Sequence, residues 1–339
     1  MKLYAISLEP ISGFGTPLKG DTLFGHFCWQ AAYDSKLLNG GLDKWIDCYG
    51  KKPCVVFSSA MPYFSGQSTP YAVKRPDLPR SYLFNKLKEK PNKREQISAR
   101  KEDSKKKWML LEKSLTINLD KPLFRTDADL AGMVAGENLS GSFRCSFEQP
   151  HNTINRLTLT TGEGAFAPFA ETVHFYMPET ELALFVLVDE TATDLERVCT
   201  ALERMGQFGY GKNASTGLGR FRLGSLREEV SLPSGQAFNA CYALAPVVPE
   251  RGRFSKAFFQ PFVRFGKHGD ELARSPHPFK NPVIMADEGA VFLPATEATE
   301  EVFLKPYIGT AVKNISKALK SSVVQGYAPY VPFHLEVNS

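Results

Sequence analysis

The stretch from Gln207 to Arg222 constrains the fold more than any other part of the chain. It reads QFGYGKNASTGLGRFR, with glycines at positions 209, 211, 217 and 219, three basic residues and no acidic residue. Glycine lets backbone N–H groups turn toward a ligand without a side chain in the way, and lysine and arginine suit that ligand to negative charge. The stretch therefore predicts a phosphate-bearing ligand. Composition alone leaves a flexible surface loop as the alternative.

The elements on either side of this glycine-rich loop decide which kind of site it is. It partly matches the dinucleotide fingerprint and the P-loop, but both motifs need a strand before the glycines and a helix after them. Here the order is reversed. Residues 193–196 (TDLE) predict a capping box that starts a helix over 193–205, and residues 219–223 alternate like a strand. The sequence therefore predicts helix, loop and strand, and excludes both motifs.

A loop in this position resembles the glycine-rich loop of the RAMP superfamily, the RNA-binding proteins of CRISPR effector complexes. In those proteins it joins the last helix of a ferredoxin-like unit to its last strand. The N-terminus adds a strand over 2–8 and the phrase FGTPLKGDTLFGH at 14–26, with Asp21 or Thr22 capping a helix to about Leu37. This phrase resembles the opening of Csm subunit four, a member of the Cas-five group from type III-A effectors.

A second segment, HNTINRLTLTTGEG at 151–164, also resembles a RAMP pattern that precedes an extended strand. Ile154, Leu157 and Leu159 alternate with polar residues, which predicts a strand or hairpin, and an ordinary edge hairpin is the alternative. By the resemblance, this segment is a β-hairpin thumb that kinks the guide RNA near the end of its 5′ handle.

The resemblance implies an α+β fold of two ferredoxin-like (RRM-like) βαββαβ units with large insertions and a β-hairpin thumb. The N-terminal RAMP unit would span 1–228 and include the glycine-rich loop, and a smaller unit would span 236–339 after a linker at 231–235. Short, irregularly connected strands are expected between residues 51 and 82. The other predicted strands are 171–177, 182–188, 238–244, 256–265, 283–285, 290–293 and 330–337, with a helix within 313–321.

Three places supply candidate RNA-binding residues: the N-terminus of the first helix, which is a ready anion site, the thumb and the glycine-rich loop. The thumb residues are carried over from the resemblance. An ordinary helix cap is the alternative for the first place. The candidates are Lys19, Gly20, Asp21, Thr22, His26, His151, Asn152, Asn155, Arg156, Gly209, Gly211, Lys212, Asn213, Ser215, Thr216, Gly217, Gly219 and Arg220.

The segment from Lys86 to Lys113 carries more positive charge than the net excess of the whole chain. This segment holds eleven Lys/Arg and five Asp/Glu, a net of +6, against a net charge of +5 for the whole chain. Its first half predicts an exposed loop, and residues 95–111 predict a charged helix. Charge runs are usually solvated faces, but such clustering also suits contact with an RNA backbone, and the sequence leaves both open.

The sequence contains no GxSxG, HExxH or CxxC motif and no acidic metal constellation. The six cysteines show no regular framework, which indicates free thiols in a reducing compartment. We expect no signal peptide, and the sequence has no apolar run long enough to span a membrane. We therefore expect a cytoplasmic protein without cofactor, metal or membrane partner.

The resemblance implies a non-catalytic guide-RNA-binding subunit of a type III CRISPR effector (Csm) complex, acting in antiviral defence. It would cap the crRNA 5′ handle, dock the large Cas-ten-type subunit and adjoin a neighbouring backbone RAMP subunit. One alternative is a RAMP endoribonuclease that processes guide precursors, with His26 or His151 as its candidate catalysts. Another is an RRM-like protein that binds single-stranded RNA alone, although its RNP aromatic signature is not evident.

Overall fold

The computed structural model describes residues 1–84, 93–136, 142–234 and 238–336, and its first part is built around one mixed-length antiparallel sheet. The strands of this part are β1 Lys2–Pro10, β2 Val55–Phe57, β3 Met61–Tyr63, β4 Tyr71–Lys74, β5 Trp108–Leu111, β6 Phe124–Arg125, β7 Arg144–His151, β8 Phe169–Tyr176, β9 Glu181–Val188 and β10 Phe221–Glu229. The helices are α1 Gly20–Tyr33, α2 Gly41–Cys48, α3 Arg80–Leu83, α4 Lys93–Lys105, α5 Asp127–Ala135 and α6 Leu195–Phe208.

The first sheet has the strand order of a ferredoxin-like unit. β1 lies between β10 and β9, and β9 pairs next with β2 and β3. The second ferredoxin strand is thus split in two, with residues 58–60 between the halves. β4, β5 and β6 extend the sheet beyond β3. Helices α1 and α6 pack against each other, and α6 also contacts β10.

The helix boundaries correct two details of the sequence analysis. Asp194, and not Thr193, caps α6, because its carboxylate accepts from the Arg197 N–H at 2.9 Å while the Thr193 hydroxyl donates to the Leu37 carbonyl at 2.7 Å. Helix α1 begins after Lys19, without a side-chain cap, and ends at Tyr33. It stops short of Leu37 because the Asp34 side chain accepts from the Lys36 N–H and starts a separate 3-10 turn.

The second part of the chain repeats the ferredoxin strand order. Its elements are β11 Ala240–Ala243, β12 Phe254–Phe258, β13 Pro261–Arg264, β14 Val283–Ala286, β15 Val291–Pro294, α7 Thr299–Phe303, β16 Tyr307–Gly309 and β17 Tyr327–Phe333. The sheet runs β12-β15-β11-β17-β16, so its first four strands match the order of the first unit and β16 is an addition. β13 and β14 form a separate hairpin. The prediction of an α+β fold with two ferredoxin-like sheets is confirmed.

Three predictions for this second part are wrong in detail. Residues 256–265 do not form one strand, because β12 and β13 belong to different sheets. Residues 313–321 form turns instead of a helix, because the buried Ser316 hydroxyl accepts from two following backbone N–H groups and bonds His268 Nε2 at 2.6 Å. The last strand ends at Phe333, and Val337 lies outside the described residues, as do residues 85–92, Gly141 and Gly235.

The second unit completes the backbone hydrogen bonding of the split strand in the first unit. The buried Gln325 amide accepts from the Phe57 N–H at 2.9 Å and donates to the Phe57 carbonyl at 2.7 Å. The Ser59 N–H donates to the Leu244 carbonyl at 2.8 Å. One hydrophobic core contains residues of both sheets, including Phe57, Tyr242, Tyr327 and Val331. In the part of the chain that is described, no helix is both long and apolar enough to cross a membrane.

Candidate nucleic-acid interface

The glycine-rich loop joins α6 to β10, as predicted, and its base is closed by close backbone contacts. Gly209 ends α6 with a φ of 99°. The Tyr210 N–H donates to the Gly219 carbonyl at 2.9 Å, and the Gly219 N–H donates to the Gly13 carbonyl at 2.8 Å. A Cβ on Gly219 would lie 2.0 Å from the Tyr210 carbonyl oxygen, so only glycine fits there. These contacts therefore hold the backbone at the base of the loop in one conformation.

The tip of the loop is open. Asn213 adopts a left-handed conformation, and a 3-10 turn follows over Ala214–Thr216. Gly217 has a φ of 97°, and no atom lies within 4 Å of the position that its Cβ would take. Ser215 and Thr216 are exposed beside it. A phosphodiester strand can therefore approach this backbone closely, provided that position 217 carries no side chain.

Helix α1 and the turn before it hold the loop from one side. The Gly211 N–H donates to His26 Nε2 at 3.1 Å, and the His26 ring lies 4.8 Å from the Tyr210 ring. The Lys212 N–H donates to the Thr16 hydroxyl at 2.9 Å. Burial lowers the pKa of His26 to about 4, so the ring is neutral at pH 7 and its Nε2 is an acceptor. His26 thus anchors the loop, and the nitrogen that a general base would use is occupied.

Glu171 on β8 holds the loop from the other side. Its side chain is only 12% exposed. The carboxylate accepts a hydrogen bond from the Lys212 ammonium at 2.6 Å and another from the Asn213 amide. His151 Nε2 lies 3.8 Å away. The hydrogen bond from Lys212, together with that from Asn213, lowers the pKa of Glu171. Three candidate residues from two distant segments therefore meet at one carboxylate, which the sequence analysis did not single out.

Strands β7 and β8 form the hairpin that carries this carboxylate, in continuous register from Arg144–Tyr176 to His151–Phe169. The predicted hairpin is present, but its strands lie outside the segment first assigned to it. Residues 152–168 connect them, with one isolated bridge between Asn155 and Thr160 and a 3-10 turn at Gly164–Phe166. The predicted strand through Ile154, Leu157 and Leu159 is wrong, because the backbone here forms turns and irregular structure and Leu159 has a φ of 57°. All three side chains are exposed.

The candidate residues of the hairpin lie at its distal end. The His151 ring stacks on Phe169 with a centroid distance of 5.4 Å. Asn155 accepts from the Leu157 N–H at 2.9 Å, which fixes the turn at the end of the connection. Asn152 and Arg156 are exposed. The distal end of the hairpin therefore carries both polar and apolar side chains, beyond the point where Glu171 contacts the loop.

The predicted anion site at the start of α1 faces the second unit. Lys19 is 9% exposed, and its ammonium contacts Glu288 at 2.6 Å as well as Asp287. Asp21 forms a bidentate ion pair with Arg264. These two pairs join α1 to the β13–β14 region across the boundary between the two units.

Gly20 and Thr22, the other two candidate residues at the start of α1, are also packed inward. A Cβ on Gly20 would meet the Phe57 carbonyl at 2.2 Å, so the backbone there lies against β2. Thr22 is half-buried. In the free chain, Lys19 and Asp21 thus make contacts between units, and the loop, His26 and the hairpin form a separate group.

The remaining basic residues near the loop have partners within the protein. The guanidinium of Arg220, a candidate RNA-binding residue, donates to the Gln207 carbonyl at 2.9 Å, at the C-terminal end of α6. The predicted helix at 95–111 is α4 followed by β5. At the end of α4, three consecutive lysines contact acidic residues, in the pairs Lys105–Glu102, Lys106–Asp103 and Lys107–Asp127.

Within residues 1–84, 93–136, 142–234 and 238–336, no three His, Cys, Asp or Glu side chains are grouped as metal ligands would be. No family model and no curated protein matches the chain in sequence.

Solved structures match the whole chain. A chain of the crystal structure of the Csm1–Csm4 cassette in complex with AMPPNP aligns with a TM-score of 0.54 and 14% identity, over 100% of both chains. A chain of the Csm3–Csm4 subcomplex from the type III-A CRISPR-Cas interference complex aligns with a TM-score of 0.56 and 11% identity, over 98% of this chain and 100% of that one. Csm4 is the subunit common to both structures. The fold of this chain is similar to that of Csm4.

The likeness to Csm4 extends over both units of the chain. The Csm1–Csm4 cassette in complex with cA4 gives a third alignment, with a TM-score of 0.53 and 12% identity over the full length of each chain. At these identities the comparison establishes the Csm4 fold and leaves the assignment of individual residues to the geometry described above.

Proposed function

We propose that this chain is a non-catalytic guide-RNA-binding subunit of a type III CRISPR effector complex. It caps the 5′ handle of the guide, docks the large Cas-ten-type subunit and adjoins a backbone RAMP subunit, in antiviral defence. The open glycine-rich tip at Gly217 is the observation that carries the proposal. The solved chains with this fold come from Csm1–Csm4 and Csm3–Csm4 assemblies, which supports the choice of partners.

The geometry of the loop suits recognition of a sugar-phosphate backbone more than of a small nucleotide. The tip is exposed, and Lys212 remains half-exposed while one face of its ammonium contacts Glu171. An ammonium has three donors, so the two that remain can meet phosphate oxygens. The hairpin tip beside the loop adds Asn152 and Arg156, both exposed. RNA would thus lie between the loop and the hairpin.

The endoribonuclease alternative requires a histidine that can take or give a proton at a phosphate. His26 is neutral at pH 7, and its Nε2 accepts from the Gly211 N–H. We expect repeat-containing RNA to remain intact when it is incubated with the isolated protein, with or without Mg²⁺. Specific cleavage that His26→Ala or His151→Ala abolishes would replace the cap proposal with the endoribonuclease.

A valine at position 217 tests the cap proposal. Gly217→Val places a branched side chain where the RNA backbone must pass, and we expect handle binding to fall by at least a hundredfold in a fluorescence-anisotropy titration. Gly66→Val is a matched control, because Gly66 also has a positive φ, 77°, and open space around its Cβ, and it lies in the connection between β3 and β4. Both variants place a valine at a positive φ, with a backbone strain of about 1–2 kcal/mol.

The comparison of the two variants separates binding from folding. We expect similar melting temperatures for Gly217→Val and Gly66→Val and a large difference in RNA affinity. If Gly217→Val binds guide RNA as tightly as the parent chain, the loop does not hold the handle and the proposal is lost.

A further inference from the structure

One side of helix α1 faces the β13–β14 hairpin of the second unit and contacts it at two levels. Residues 21, 25 and 29 lie on this side, each one helical turn after the last. At the first level, Asp21 forms its bidentate ion pair with Arg264. At the last level, Trp29 Nε1 lies 3.4 Å from the position that a Cβ on Gly269 would take. The helix and the hairpin therefore lie side by side from Asp21 to Trp29.

Between these two contacts there is open space beside the helix. Gly25 lies midway, and no atom lies within 4 Å of the position that its Cβ would take. The next residue is His26, whose Nε2 accepts from the Gly211 N–H at 3.1 Å, so the space adjoins the glycine-rich loop. We call this space at Gly25, between α1 and the β13–β14 hairpin, the crevice. A ligand that contacts the loop can thus also enter the crevice.

Lys280 reaches the crevice from the second unit. Its N–H donates to the Gly266 carbonyl at 2.8 Å, and its Cδ lies 3.2 Å from the position that a Cβ on Gly266 would take, so the methylene stem packs over this backbone. Its positive charge acts on Asp21 and on Cys28, which precede and follow Gly25 on the helix. The ammonium therefore faces the crevice.

The ammonium of Lys280 has no anionic partner within the part of the chain that is described. Lys280 is half-buried, and its ammonium forms no ion pair and no hydrogen bond with any described residue. Burial lowers the pKa of Lys280, and Cys28 and Asp21 only partly oppose this. Both oxygens of Asp21 already accept from Arg264. Burial raises the pKa of the Cys28 thiol, so the thiol is uncharged at pH 7.

A half-buried cation without a partner costs free energy, which is why lysines that leave solvent are usually paired. An anion bound in the crevice would offset this cost. Lys280 belongs to the second unit and the glycine-rich loop to the first, so a ligand that contacts both must be extended. A phosphodiester chain is extended and carries one negative charge per nucleotide. The geometry therefore favours a nucleic-acid strand over a small anion.

We propose that the Lys280 ammonium binds a phosphate group of the guide RNA in the crevice. This inference rests on the proposed function, and it adds the second unit to the RNA site. The strand that crosses the open tip at Gly217 would continue past Gly25 on α1 to Lys280. An ammonium suits this position because its three donors can meet phosphate oxygens from several directions.

Removing the charge of Lys280 tests the proposal. Lys280→Met deletes the ammonium and keeps an apolar stem. We expect the dissociation constant for handle RNA to rise about tenfold, as for a lost hydrogen bond to a charged group. The slope of log K against log salt should become shallower by about 0.7, the value for one phosphate contact to a single strand. Lys256→Met is the control, because Lys256 is exposed on β12 of the same unit and carries the same charge.

A carboxylate placed in the crevice gives a second test. Gly25→Asp puts an internal anion beside Lys280, and we expect handle binding about tenfold weaker or more. Its melting temperature should rise, because the lysine gains a partner and the helix loses a glycine. Gly132→Asp is the matched control, because Gly132 lies in α5, also has open space around its Cβ position and gains the same charge.

Weaker RNA binding by Lys280→Met and Gly25→Asp, with both controls close to the parent, supports the proposal. Lys280→Met should also melt no lower than the parent, since it breaks no internal ion pair. A lower melting temperature together with weaker binding would make Lys280 a structural residue and overturn the proposal.

The remaining outcomes separate this inference from the proposed function. If Lys280→Met binds handle RNA as tightly as Lys256→Met while Gly217→Val has lost binding, the proposed function stands and the role of Lys280 is overturned. If inorganic phosphate then raises the melting temperature of the parent and not that of Lys280→Met, the crevice binds a free anion instead of the guide. If the parent chain does not bind handle RNA, the proposed function and this inference fail together.

Discussion

Removing the carboxylate of Glu171 gives a sharp test of the proposed RNA site. If charge alone governed binding, Glu171→Ala would strengthen RNA binding, because it deletes a negative charge beside a polyanion. The structure predicts the opposite. The Glu171 carboxylate accepts hydrogen bonds from Lys212 and Asn213. Its loss therefore frees the loop from the hairpin and leaves the Lys212 ammonium without a fixed position.

The size of the effect follows from these two contacts. A hydrogen bond to a charged group contributes about 1.5–3 kcal/mol when buried, and exposure of the lysine reduces this toward the 0.2–1 kcal/mol of surface ion pairs. Lys212 is 53% exposed and Glu171 is 12% exposed, so the pair is intermediate. We expect a total loss of about 1–2 kcal/mol, which corresponds to RNA binding roughly five- to thirtyfold weaker.

The control is Glu148→Ala, on the other strand of the same hairpin. Glu148 is exposed and accepts from the Thr172 hydroxyl at 2.7 Å, so its removal deletes the same charge without releasing the loop. Both variants are titrated with handle RNA at two salt concentrations, and their melting temperatures are compared. If Glu171→Ala binds RNA as tightly as Glu148→Ala, or more tightly, the carboxylate does not position the loop and this part of the reasoning is wrong.

Two further predictions concern stability. The pKa of His26 is about 4 in the folded chain and about 6.5 in the unfolded chain. As the pH falls, the unfolded state therefore binds a proton at a higher pH than the folded state does. The stability that neutral His26 provides is complete above about pH 6.5 and falls by up to about 3 kcal/mol as the pH drops to about 4. Melting curves of His26→Asn across this range should lose that pH dependence. A variant whose pH profile matches that of the parent would contradict this prediction. Lys19→Ala removes the cation that contacts the half-buried Glu288 and leaves Asp287 with Lys74 at 3.8 Å. We expect it to lower stability by about 3 kcal/mol in urea unfolding, whereas an effect below about 0.5 kcal/mol would make Lys19 an ordinary surface lysine.

Local patterns in the sequence were sufficient to predict the elements next to the glycine-rich loop. A capped, amphipathic helix and an alternating strand depend on neighbouring residues, and both occur where the spacing indicates. The glycines also predicted their own conformation, since Gly209, Gly211, Gly217 and Gly219 all have positive φ. The resemblance to RAMP proteins then supplied the strand order, which local patterns cannot.

Long-range pairs were beyond the sequence. Lys19 lies at a helix start, where the sequence predicts that it binds an anionic ligand. Its ammonium instead contacts the carboxylates of Asp287 and Glu288, far along the chain. Glu171 lies in an ordinary alternating strand, and nothing nearby marks it as the residue that joins the loop to the hairpin. Such contacts depend on how distant segments pack in three dimensions, which neither periodicity nor composition encodes.

The hydrogen bonds that Gln325 makes to Phe57 have a consequence for how the chain can be divided. A fragment that ends before the second unit would keep every strand of the first sheet but lose the partners of Phe57 and Ser59, and would expose one side of the shared core. Buried amide groups without partners cost about 1–3 kcal/mol each. We therefore expect the two ferredoxin-like units to melt as one cooperative block, and neither to be a self-sufficient piece for expression or for transfer into another protein.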